Sequence, residues 1–131
     1  MIRVLIADDE QVIADSMALI LGQLGYETAA VYSGEQAVEA AATLTPDVVI
    51  SDVAMGGMNG VEACIRIRRL LPDCRIILFS GQASTATLIQ RATFETHDFE
   101  MLTKPVHPKA LLAYLTGAVC GRWLPIGDDA V

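Results

Sequence analysis

"VVISDVAMGGMNG", residues 48–60, joins an apolar run to a carboxylate and then to a loop with three glycines. Every position of Val48-Val49-Ile50 is apolar, which marks a strand covered on both faces. Asp52 stands at the mouth of that strand, where desolvating a carboxylate is costly. Glycines let a backbone approach a ligand closely. A phosphate-cradling loop would use them, yet it would not set an anion beside its anion.

Working outward, short apolar runs alternate with longer periodic segments. Ile2 to Ala7 reads as a strand, and Glu10 to Leu24 as a helix with Ile13, Met17, Ile20 and Leu24 on its inward face. Gly25 stops it. Glu27 to Val31 reads as a second strand. Ser33 opens a second helix, with Gln36 three residues on as a capping box, and Pro46 ends it after Leu44. Val48 to Ser51 is the third strand. Val61 to Leu71 is a helix stopped by Pro72, Arg75 to Phe79 a fourth strand, and Glu100 to Thr103 a short fifth. A helix is expected from Ser84 or Thr85 to Thr93. A last one starts at Pro108 and runs through Leu111, Leu112 and Leu115. Strands separated by helices predict an α/β fold with a doubly wound parallel sheet covered on both sides. In such sheets ligands bind at the carboxyl ends of the strands, where the winding direction switches.

The chain has 131 residues, enough for one domain with a hydrophobic core. Its hydrophobic fraction of 53% argues against disorder. A net charge of -7 argues against nucleic-acid binding through a broad basic surface. Arg66, Arg68 and Arg69 read as a solvated helix face. Cys64, Cys74 and Cys120 form no CxxC pair and read as small apolar packers in a reducing compartment. No signal-peptide core precedes the N-terminal acids, and no apolar stretch is long enough to span a bilayer. A cytoplasmic protein is expected, without membrane or nucleic-acid partners.

Polar residues converge at the predicted strand ends: Asp8, Asp9 and Glu10 after the first, Asp52 after the third, Ser80 after the fourth, Lys104 and Pro105 after the fifth. Crowded carboxylates raise one another's pKa or recruit a cation. Hard oxygens without nearby His or Cys suit Mg²⁺. Lys104 can offset the remaining charge. The carboxylate of Asp52 then need not avoid phosphate: it can receive it as a nucleophile, with Ser80 offering a hydroxyl to the phosphoryl oxygens.

At these residues the chain resembles the receiver domains of bacterial two-component response regulators. The resemblance covers about residues 2 to 117. It rests on "LIADDE" (5–10), "VVISDVAMGGMNGVEA" (48–63), "ILFSG" (77–81) and "LTKPV" (102–106). It implies a flavodoxin-like five-stranded sheet, order 2-1-3-4-5, with five helices. Asp52 would be the phosphoacceptor for a histidine kinase or phosphotransfer protein. Asp9 would bind Mg²⁺ directly, Asp8 mainly through water, and Ala54 through its carbonyl. Ser80 would be the switch hydroxyl, Lys104 the phosphate-contacting lysine, and Pro105 the residue holding its loop. A downstream protein would dock on the face of the fourth helix, fifth strand and fifth helix.

The chain departs from the family pattern at four places. Met55-Gly56 replaces Met-Pro, Asn59-Gly60 replaces Asp-Gly, and His97-Asp98 replaces Gly-Ala. Met101 stands where the switch aromatic is usual, with Phe99 two residues earlier on the same strand face. Residues 1–118 are expected to form the receiver and 119–131 a tail, without an output domain. Such a protein would catalyse only its own phosphorylation and dephosphorylation. The alternative is a pseudo-receiver, an interaction module that is never phosphorylated. A phosphatase would need a second Asp two residues from Asp52, and a flavin protein a Ser/Thr-rich loop after the first strand; neither is present. His97 and His107 read as surface or capping residues, and Phe94, Phe99, Tyr114 and Trp123 as packing.

Overall fold

The computed structural model describes residues 1–80 and 99–103, with Ser80 and residues 100–103 described as backbone. Five strands form one parallel sheet: β1 (Arg3–Ala7), β2 (Glu27–Val31), β3 (Val48–Asp52), β4 (Arg75–Ser80) and β5 (Glu100–Thr103). Their order is β2-β1-β3-β4-β5, the expected one. Among the described residues three helices lie between them: α1 (Gln11–Gln23), α2 (Gly34–Leu44) and α3 (Gly60–Leu70). The two later helices expected from the sequence lie outside the described residues, as do Lys104, Pro105, His97, His107, Phe94, Tyr114, Trp123, Cys120 and the tail.

Strand geometry sends alternate residues to opposite faces, and two cores result. Leu5, Ala7, Val49, Ile76 and Leu78 pack toward α2 and α3 with Val61, Cys64 and Ile67. Val4, Ile6, Val48, Ile50, Ile77 and Phe79 pack toward α1 with Ala14 and Leu21. All five residues of β3 are buried. A strand inside a sheet covered on both faces needs no polar face, which is why Val48-Val49-Ile50 is a continuous apolar run.

One expectation holds only in part: of the four residues expected on the inward face of α1, Met17 and Ile20 are half-buried, while Ile13 and Leu24 are exposed. The buried stripe of α1 is Ala14 and Leu21, with Met17 and Ala18 partly buried beside them. Ile13 is 36% exposed and Leu24 52%. Val12, Ile13 and Leu19 spread apolar character around the helix, so composition leaves its rotational phase ambiguous. Packing against the sheet then selects the side that carries Ala14, Met17, Ala18 and Leu21.

The helix ends follow local chemistry. Ser33 Oγ accepts from the Gln36 amide at 3.0 Å. The Gln36 side chain reaches back one residue further than a standard capping box, accepting from the Tyr32 amide at 2.9 Å. Asn59 Oδ1 caps α3 by accepting from the Glu62 amide at 2.9 Å. Gly25 takes φ 102°, the left-handed conformation that suits glycine after a helix. At the amino end of the sheet, Asp47 accepts from the Arg3 amide through Oδ2 and from the Arg75 amide through its carbonyl, joining β1 and β4 to the entry of β3. No helix among the described residues is long and apolar enough to cross a membrane.

Candidate functional site

The chain runs from β1 outward to β2 and then back across β1 to β3, so the winding direction switches between β1 and β3. Their carboxyl ends flank one crevice. Asp8 and Asp9 follow β1, and Asp52 is the last residue of β3. One carboxylate oxygen from each lies within 4.8 Å of the others. Asp8 is 2% exposed and Asp52 6%, while Asp9 faces solvent.

Each carboxylate reaches this crevice for a local reason. Asp8 Oδ1 accepts from the Glu10 amide at 2.9 Å, so this side chain also turns the backbone into α1. The Asp8 amide continues the ladder to β2, donating to the Val31 carbonyl at 3.2 Å. Asp52 is opposite Phe79 of β4. Just beyond it, the Val53 amide donates to the Phe79 carbonyl and the Gly60 amide to the Val53 carbonyl, both at 2.9 Å. These two bonds close the base of the loop 54–59. Gly60 packs directly against the Asp52 carbonyl, and the buried Ser51 hydroxyl donates to that same carbonyl at 3.0 Å.

Three carboxylates this close, two of them largely withdrawn from water, form a set of hard oxygen donors of concentrated negative charge. A divalent cation relieves that repulsion, and the donor chemistry fits Mg²⁺. Ala54 is exposed on the same loop, two residues past Asp52.

Ser80 ends β4 and is opposite Thr103, the last residue of β5, at the same edge of the sheet. Lys104 and Pro105 follow in sequence, outside the described residues. Met101 is in register with Leu78. Phe99 is half-buried against the α2/α3 core, with the Arg68 guanidinium carbon 5.3 Å from its ring centroid. Arg68 is therefore more than part of a solvated face. Arg66 fits that description better: it is exposed and pairs with Glu62 at 3.5 Å. Cys64 and Cys74 are both buried packers, as expected.

Sequence reasoning missed the support under the loop. Gly34 abuts the Met58 backbone, and Glu35 Oε2 accepts from the Met58 amide at 3.2 Å. These partners are 23 residues apart, and no periodicity or motif announces the contact. The bond from the Ser51 hydroxyl to the Asp52 carbonyl has no signal in the sequence either, where Ser51 is one more strand residue.

Comparison with known proteins agrees with this geometry. Residues 4–116 match the response regulator receiver domain family. Chemotaxis protein CheY of Thermotoga maritima is 33% identical over 114 residues, covering 86% of this chain and 93% of that protein. The DNA-binding response regulator MtrA of Mycolicibacterium smegmatis is 32% identical over 111 residues, covering 85% of this chain and 47% of MtrA. The chain thus spans about half the length of the MtrA proteins it matches. Among solved structures, Vibrio cholerae chemotaxis protein CheY4 superposes with a TM-score of 0.79 at 28% identity, over 90% of this chain and 98% of that one. With the sheet order and the aspartate cluster in place, the chain belongs to the response regulator receiver family, the phosphoacceptor switches of two-component systems.

Proposed function

We propose that this receiver takes a phosphoryl group onto Asp52 from a phosphohistidine of a sensor kinase or phosphotransfer protein, in a Mg²⁺-dependent reaction. The observation that carries this is the convergence of Asp8, Asp9 and Asp52 at the β1/β3 crevice. An oxygen of Asp52 attacks phosphorus, the P–N bond of the donor breaks, and the imidazole leaves with the bonding pair and takes up a proton. Water later attacks the same phosphorus, releasing inorganic phosphate and restoring the carboxylate.

Asp9 and Asp52 would hold Mg²⁺ directly, Asp8 mainly through water, and Ala54 through its carbonyl. When bound, the ion neutralises charge on the phosphoryl oxygens, which is most of what phosphoryl transfer requires. Ser80 would donate its hydroxyl and Lys104 its ammonium to those oxygens. The chain would turn over no substrate besides its own phosphoryl group, and output would pass through protein contacts on the face that includes β5. Met101 in the aromatic switch position favours a second reading, an interaction module that is never phosphorylated.

Intact-protein mass spectrometry after incubation with acetyl phosphate separates the two. A Mg²⁺-dependent gain of one phosphoryl group, absent in Asp52→Asn, supports the switch. No gain, together with unchanged amide shifts on adding beryllofluoride and Mg²⁺, supports the interaction module.

A further inference from the structure

The loop after Asp52 has a mechanical problem. It contains Gly56-Gly57 where the family pattern has a proline, so its own backbone is loosely constrained. Gly57 takes φ 74°, and Gly56 is exposed, with nothing within 4 Å of the place a β-carbon would take. Yet this loop carries the Ala54 carbonyl and must hold its position relative to Asp52.

The structure supplies a brace from outside the loop. At Gly34, the first residue of α2, a β-carbon would collide with the Met58 carbonyl, so the two backbones touch. The next residue, Glu35, spans the remaining gap. Its Oε2 accepts from the Met58 amide at 3.2 Å and lies 3.1 Å from the place a Gly57 β-carbon would take. Glu35 is exposed and in the first turn of α2, where a carboxylate is favoured by the helix dipole. Because α2 is anchored by Ala37 and Ala41 in the core, the carboxylate projects from a fixed base.

We propose that Glu35 is a positioning residue for the metal site: its hydrogen bond to Met58 replaces the stiffness that a loop proline would give, and so holds the Ala54 carbonyl in place to bind Mg²⁺. This rests on the phosphoacceptor reading above. Glu35 acts through the loop and touches neither phosphate nor metal. The contact lies outside Asp52 itself and makes metal affinity depend on a residue of another helix.

Three variants of the full chain test it: Glu35→Ala, Glu35→Gln and Glu35→Asp. Gln keeps an acceptor oxygen at the right reach, while Asp keeps the charge but is one methylene short. The first readout is Met58 amide exchange by NMR without metal, where Ala and Asp should exchange about tenfold faster than wild type and Gln within about twofold. The second is Mg²⁺ titration by amide shifts, where Ala and Asp should lose about tenfold in affinity, the usual effect of losing an outer support of a metal site. At saturating Mg²⁺ the phosphorylation rate of all three should return to the wild-type value. Unchanged Met58 exchange and unchanged Mg²⁺ affinity in Glu35→Ala would overturn the brace. So would Gln behaving like Ala while Asp behaves like wild type, since charge alone would then explain the effect. If wild-type protein gains no phosphoryl group, the functional reading fails separately, and the exchange and titration readouts still decide the role of Glu35.

Discussion

Gly60 stands directly against the carbonyl oxygen of Asp52, so the first turn of α3 is seated on the backbone of the residue that carries the site. A β-carbon at Gly60 would occupy the space of that oxygen, and the obstacle is backbone that cannot rotate away. Gly60→Ala should lower stability by about 1–3 kcal/mol, the usual cost of overpacking, and shift the amide resonances around Asp52. Urea denaturation with a two-dimensional amide spectrum checks both. A wild-type midpoint with unmoved shifts would refute the close seating.

The three carboxylates of the crevice repel one another without a counterion. Removing one charge should therefore stabilise the metal-free protein while weakening its response to metal. Asp9→Asn is expected to raise the metal-free Tm by about 3 °C and to abolish most of the stabilisation wild type gains from millimolar Mg²⁺. Thermal melts with EDTA and with Mg²⁺ measure the two effects. Equal Mg²⁺ shifts in variant and wild type would remove Asp9 from the ligand set.

Arg68 and Phe99 connect α3 to the approach to β5. A double-mutant cycle of Arg68→Met and Phe99→Leu should give a coupling of about 0.5–1 kcal/mol, as for a partly exposed cation–π pair. Additive effects would mean that the two side chains are neighbours without interacting.

Burial pushes the Cys64 and Cys74 thiols up to about 12 in each case. The folded protein therefore holds both protons at a pH where the unfolded chain, with ordinary thiols near 9, releases them. Their contribution to stability is complete below pH 9 and declines from there toward about 12. Urea midpoints should fall as pH rises above 9, and less steeply for Cys64→Ala. An identical slope in that variant would show that Cys64 plays no part in the loss.

Much of the architecture is legible locally. The all-apolar run at Val48–Ile50 identifies a two-sided strand, Ser33 announces its helix, and Gly25 ends one. The boundaries of β2 and β5 coincide with the expected ones. The acids Asp8, Asp9 and Asp52 can be picked out because each follows a strand, and the parallel topology carries them to one end of the sheet. The rotational phase of α1 could not be read this way, because apolar residues surround that helix and only contact with the sheet chooses between its faces.

The alternation of strands and helices and the polar residues at the ends of four of the five strands could be read from the chain alone, since both are properties of consecutive residues. Only the folded arrangement brings the three acids within 4.8 Å of one another, buries one side of α1, and sets the Glu35 carboxylate on the Met58 amide 23 residues away. Those outcomes depend on which strands become neighbours and how closely their helices pack, and such non-local contacts leave no periodic trace in the chain that makes them.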